Sequence, residues 1–190
     1  MKRIVIFASG SGTNAENLIT FFKNSNKASV VQVLTNNPQA KVLERCKKLK
    51  VSALSFNKIA FTETDDVLNI LKASNPDIIV LAGFLWKFPE NILQAFPNKV
   101  INVHPALLPK YGGKGMYGMH VHEAVVANNE TETGITIHYV NEHYDEGAII
   151  FQAKCEVNSN DSAQDVAAKI HELEMAHFPR VVEQLILKET

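Results

Sequence analysis

Short, continuous apolar runs alternate along this chain with stretches in which apolar residues recur every three to four positions. RIVIF (3–7), VVQVLT (30–35), DIIVLAG (77–83) and VINVH (100–104) are dominated by Val, Ile and Leu, the pattern of strands covered on both faces. Between them, residues 14–22 carry Leu18, Phe21 and Phe22 on one stripe, residues 38–49 open on Pro38 in a first-turn position, and residues 64–73 align Val67, Ile70 and Leu71. Strand followed by helix, repeated, predicts the α/β class: a doubly wound, mostly parallel open sheet with helices on both faces.

Beyond residue 104 the pattern changes to a loop, a short helix over 120–127, and the runs GITIHYV (134–140) and AIIFQAK (148–154). These read as later strands of the same sheet, the last pair expected to be antiparallel because only NEHYDEG separates them. Residues 162–187 predict a long C-terminal helix. Its apolar stripe of Val166, Ile170 and Leu173 is followed by Val181, Val182, Leu185 and Ile186, and Pro179 is expected to kink or restart it. With 190 residues and no repeat or linker, residues 1–190 are expected to form one domain.

A formal net charge of -1 removes the electrostatic reason for a nucleic-acid partner. No apolar run approaches the roughly 18 residues of a membrane span, and the N-terminus enters a strand without a signal-peptide pattern, so a cytoplasmic address is expected. Cys46 and Cys155 stand far apart without CxxC spacing, which fits small buried residues better than a disulfide or zinc framework.

The glycine-rich run GSGTNA (10–15) between the first strand and helix raises the question of a phosphate. Gly10-x-Gly12-x-x-Ala15 satisfies the dinucleotide fingerprint, but the second strand ends in Asn36-Asn37-Pro38 and lacks the acid that would hold a ribose. No lysine follows as a triphosphate loop requires. Two readings remain: a turn whose amides, helix dipole and Ser11, Thr13 and Asn14 side chains hold one terminal phosphate, or a tight turn capped by Thr13 or Asn14.

Open parallel sheets bind ligands beyond the carboxyl ends of their strands. INVHPALLPKY leaves such an end with Asn102 and His104 on one face. In GITIHYVNEHYDEGAII, Tyr144 and the AII run flank Asp145 and would half-bury its carboxylate.

Together GSGTN at 10–14, LAGF at 81–84, INVHPALLPKY at 101–111 and the G-I-T-I-H-Y-V-x-E-x-Y-D-x-G-x-x-I run at 134–150 resemble the phosphoribosylglycinamide formyltransferase family, across essentially the whole chain and in the right order. The resemblance implies a Rossmann-like formyltransferase fold. It also implies transfer of a formyl group from 10-formyltetrahydrofolate, the co-substrate, to the amine of glycinamide ribonucleotide in purine biosynthesis, without metal. By that carry-over Asn102 donates to the formyl oxygen, His104 as imidazolium adds a second donor and acts as general acid, and Asp145 favours the protonated ring. Gly12, Thr13 and Asn14 would hold the acceptor's phosphate, with Glu174 at its ribose. Leu85, Trp86, Lys87 and Phe88, with Val140, Asn141 and the rest of the loop up to Asp145, would line the folate pocket beside Asn102. The implied partners are small molecules, with neither nucleic acid nor membrane, for a monomer or homodimer.

The chain departs from the family pattern at three places. Leu85-Trp86 stands where Met-Arg is common, FTETDD (61–66) is acidic where a basic residue is frequent, and residues 112–119 form a longer, glycine-rich loop that reads as a mobile flap or a tolerated insertion. His120-x-His122 offers a metal reading, but on a helix the two side chains diverge by roughly 200°. His138 alternates with Thr136 and is a candidate pocket residue, whereas His143, His171 and His177 read as surface or packing residues. Leu108-Pro109 is a candidate cis peptide. Rival readings are a formyltetrahydrofolate hydrolase, a methionyl-tRNA formyltransferase-like enzyme and a non-catalytic nucleotide-binding module.

Overall fold

The computed structural model describes residues 1–188. Five parallel strands, β1 (Lys2–Phe7), β2 (Ala28–Thr35), β3 (Ala53–Ser55), β4 (Ile78–Leu81) and β5 (Val100–His104), continue into antiparallel β6 (Glu132–Tyr139) and β7 (Ile149–Glu156). The order across the sheet is β3-β2-β1-β4-β5-β6-β7. The helices are α1 (Thr13–Lys23), α2 (Lys41–Leu49), α3 (Lys58–Thr62), α4 (Asp66–Ser74), α5 (Glu90–Ala95), α6 (Met119–Ala127) and α7 (Ala163–Lys188).

Strand β1 explains why both faces are covered. Alternation sends Ile4 and Ile6 into a core with Leu18, Phe22, Val80, Phe178 and Val182, and sends Val5 and Phe7 into a second core with Leu34, Phe61, Leu71 and Ile92. These four of the six β1 side chains are fully buried, and each such burial contributes about 1.5–3 kcal/mol. Every second residue therefore serves a different helical layer.

Four differences from the sequence reading have local causes. Helix α2 starts at Lys41 and leaves Pro38 in the preceding turn. There the Thr35 and Asn37 side chains accept from the amides of Asn37 and Gln39 at 3.2 and 2.9 Å, offering the backbone an alternative to the helix. The short elements β3, α3 and α5 have too few residues to show a period, and the sequence reading lacks them. Strand β6 is antiparallel to β5 as well as to β7. Finally, α7 runs uninterrupted through Pro179 and does not restart. Phe178, Pro179, Val181 and Val182 are buried together, and the Met175 carbonyl, whose helical partner the proline removes, accepts instead from Asn17 Nδ2 of α1 at 3.0 Å. The Leu108-Pro109 peptide is cis. Among the described residues no helix is long and apolar enough to cross a membrane.

Candidate active site

At the carboxyl end of β1 the chain is pinned before it turns. Ser9 donates its amide to the Gly83 carbonyl at 3.0 Å, and Ser9 Oγ accepts from the Leu85 amide at 3.0 Å. Gly12 is the N-cap of α1 at φ 73°, and no side chain caps the helix. Thr13 and Asn14 are its first helical residues, so the capped-turn reading is not realised and the first amides stay available to a ligand. Glycine is required here twice over: the backbone is left-handed, and a Cβ would lie 2.4 Å from Val42 Cγ2 of α2. Arg45 of α2 steadies the turn by donating Nε to the Ser11 carbonyl at 2.8 Å while pairing with Glu16.

Asn14 reaches across to α7, donating Nδ2 to Glu174 Oε2 at 2.8 Å. Its Oδ1 is buried without a protein partner. Burial pushes the Glu174 carboxyl above its ordinary value, more than the Asn14 bond and the nearby His171 pull it down.

His104 and Asn102 leave β5 side by side, and antiparallel β6 supplies their cross-strand partners. Asn102 faces His138 and His104 faces Thr136 in the register. His138 Nδ1 donates to the Tyr139 carbonyl at 2.8 Å, leaving Nε2 to accept from Asn102 Nδ2 at 3.2 Å. That bond orients the amide and leaves its second N–H unused. Asp145, at φ 57°, places Oδ2 3.6 Å from His104 Nδ1 and Oδ1 3.6 Å from His138 Nε2, and accepts from the Gly113 amide at 2.9 Å.

The two partners respond unequally. Burial raises Asp145, but the neighbouring His138 and His104 imidazoles and the Gly113 amide together bring its carboxyl below the usual range. Burial lowers His104, and Asp145 and the Tyr111 carbonyl only partly oppose it. The imidazole is the more enclosed partner, at 4% side-chain exposure against 12% for the carboxylate. Asp145 favours the protonated ring, as the sequence expectation has it, while burial works against the charge.

A cavity of about 610 Å³ joins these parts. Its lining includes Gly12, Thr13, Asn14 and Glu174 at one end and Asn102, His104 and Asp145 at the other. A smaller hollow of about 70 Å³ adjoins it through Asn102, Leu85 and Asp145, and adds Trp86, Lys87, Phe88, Val140 and Asn141. Every side chain singled out for the site thus lines one of two contiguous spaces. Trp86 packs against Phe56, Phe61 and Phe84 with ring centroids 6.2, 6.0 and 6.5 Å apart, so this departure replaces a charge with an aromatic wall. Residues 113–118 of the glycine-rich loop line the larger cavity. His122 is buried on α6 with Nδ1 unpartnered and His120 is exposed; among the described residues no cluster of three potential metal ligands occurs.

Sequence reasoning missed Ser9, Arg45, Tyr111 and Gly113 as parts of this site, and could only name His138 as a candidate. Contacts between segments far apart in the chain bring them in, through a carbonyl rather than a side chain in the case of Tyr111, and such contacts leave no periodic signal.

The formyl transferase family profile matches residues 2–182. The chain belongs to that family. It is 35% identical over 193 residues to phosphoribosylglycinamide formyltransferase of Bacillus subtilis (strain 168), covering 98% of this chain and 95% of the relative. The Haemophilus influenzae protein of the same name is 34% identical over 187 residues, with 96% and 86% covered. Among solved structures, glycinamide ribonucleotide transformylase 1 from Symbiobacterium toebii superposes with a TM-score of 0.90 at 28% identity, covering 99% of this chain and 89% of that one. Phosphoribosylglycinamide formyltransferase from Bacillus halodurans gives 0.87 at 32% identity, with 100% and 97% covered.

Proposed function

We propose that this formyl transferase moves the formyl group of 10-formyltetrahydrofolate to the amine of glycinamide ribonucleotide in purine biosynthesis. The observation that carries the reading is the single cavity with an uncapped helix N-terminus at one end and Asn102, His104 and Asp145 at the other. Such a space suits an acceptor that carries a phosphate and a nucleophilic amine at opposite ends. The adjoining aromatic slot, with Val140 and Asn141 at its edge, suits a flat heterocycle held by a few polar groups.

The acceptor's phosphate rests on the amides of Gly12, Thr13 and Asn14, and Glu174 meets its ribose hydroxyls. The amine attacks the formyl carbon, and the carbonyl oxygen becomes negative. Asn102 meets that oxygen with its unused N–H, pre-aimed by His138. His104 Nε2 already donates to the Tyr111 carbonyl at 2.7 Å, so the ring handles the moving proton at Nδ1. Neutral Nδ1 takes the proton shed by the attacking nitrogen, Asp145 stabilises the imidazolium that results, and the proton passes to the folate nitrogen as its bond to the formyl carbon breaks. The enzyme forms no covalent bond to substrate. The reading extends to residues 1–190 as one domain and to a cytoplasmic monomer or homodimer that needs neither nucleic acid nor membrane.

The test mixes protein, formyl donor and glycinamide ribonucleotide and follows release of tetrahydrofolate. Transfer requires release that depends on the acceptor. Equal release without it would identify a hydrolase, and no release in either case would leave a binding module.

A further inference from the structure

The tripeptide Tyr111-Gly112-Gly113 touches both members of the proton-handling pair. Its first carbonyl accepts from His104 Nε2 at 2.7 Å, and its last amide donates to Asp145 Oδ2 at 2.9 Å. Gly112 between them sits so close that a Cβ would lie 2.6 Å from Leu108 Cδ2 and 3.3 Å from Asp145 Cβ. Tyr111 adopts φ 56°, a left-handed backbone that is costly for an aromatic residue. Such a conformation persists only where its surroundings impose it. The contact that stands out is at the far end of the side chain, where Tyr111 Oη donates to Glu130 Oε1 at 2.9 Å. Glu130 lies in the turn between α6 and β6, outside the cavity lining, and also pairs with the exposed Lys110.

Resting on the formyl-transfer reading, we propose that Tyr111 and Glu130 are positioning residues that set the tautomer of His104. Glu130 anchors the Tyr111 ring, the anchored ring holds the left-handed backbone, and the Tyr111 carbonyl keeps a proton on Nε2, leaving Nδ1 to exchange the proton of the reaction. A ring free to place its neutral proton on Nδ1 would present no lone pair beside Asp145 and could not accept from the amine. The titratable groups that face this imidazole are Asp145 from the loop before β7, His138 from β6 and His122 from α6. None of them bonds Nε2, and Asp145, 3.6 Å from Nδ1, favours a proton on that nitrogen instead, so the strap is what holds the neutral ring's proton on Nε2. Burial and the bond to Glu130 push the Tyr111 hydroxyl above its ordinary value, which keeps it a donor through neutral pH.

The experiment compares the intact wild-type protein with Tyr111→Phe, Glu130→Ala, Glu130→Gln and Lys110→Ala, measuring kcat and both KM values from mildly acidic to mildly alkaline pH. Tyr111→Phe and Glu130→Ala are expected to lose about tenfold in kcat on the neutral plateau, with both KM values within about twofold of wild type. The Tyr111 carbonyl bond favours the charged ring, so loosening it moves the acid limb to lower pH, and the deficit narrows as pH falls. Glu130→Gln still accepts from the hydroxyl and retains wild-type behaviour, as does Lys110→Ala. A loss equal at every pH, or Glu130→Gln as impaired as Glu130→Ala, would overturn the proposal. Imidazole nitrogen-15 spectra provide a readout independent of turnover: neutral His104 protonated at Nε2 in wild type, and a mixture of tautomers in Tyr111→Phe. An unchanged single tautomer would overturn the proposal even if activity fell. If the wild-type protein transfers no formyl group, the functional reading fails, while these spectra still decide the positioning claim.

Discussion

Replacing Asp145 by asparagine isolates the charge next to His104. Asparagine has nearly the same shape, can accept the Gly113 amide as the carboxylate does, and tolerates the left-handed backbone at φ 57° that an alanine would strain. The loop is therefore expected to keep its conformation while the charge is lost. At 3.6 Å between Oδ2 and Nδ1, a unit charge stabilises an imidazolium by about 4–5 kcal/mol at an effective dielectric of about 20. The partly exposed edge of the carboxylate admits water and reduces this to about 3 kcal/mol, or about 10²-fold in rate. Because Asp145 stabilises a charge that exists only once the amine has released its proton, the loss should fall on kcat and leave both KM values close to wild type. The acid limb of kcat/KM should also move to lower pH, since Asp145 is the strongest of the influences that raise His104. Initial-rate formyl transfer across pH measures both effects. A loss below about tenfold, or one carried by KM, would refute the assigned role.

Asn102→Ala removes the donor aimed at the developing oxyanion and should cost about 10²- to 10³-fold in kcat with little change in KM. Gly12→Ala forces a Cβ to within 2.9 Å of the Val42 backbone Cα at a left-handed position; thermal denaturation should show about 1–3 kcal/mol lost, with a raised KM for the phosphorylated acceptor. Glu174→Gln separates stability from binding. The folded carboxyl titrates above its ordinary value of 4.5, so its ionisation destabilises the fold by an amount that is absent below that value and complete above the raised one. The variant should therefore melt higher than wild type at neutral pH, show no such gain in acid, and raise the acceptor KM about tenfold or more through loss of charge-assisted bonds to hydroxyls.

The α/β class, the four longest parallel strands and the C-terminal helix were legible because buried strands and amphipathic helices have periods that survive without neighbours. The polar residues at the strand ends stood out for the same reason: an amide and an imidazole finishing an apolar strand break the pattern. Of the kink or restart expected at Pro179, the restart does not occur, and the compensation for the missing N–H comes from Asn17, far away in sequence and adjacent only after α1 and α7 pack.

The sequence by itself singled out candidate residues for the chemistry and the element on which each sits, since side-chain type and local period are properties of a few consecutive residues. Tertiary structure alone decided that His138 orients Asn102, that Tyr111 offers its carbonyl to His104, and that burial and Asp145 pull the imidazole in opposite directions. Register, enclosure and the direction of a carbonyl are sums over atoms that the linear chain keeps apart, so they come into being only when the strands pair and water leaves.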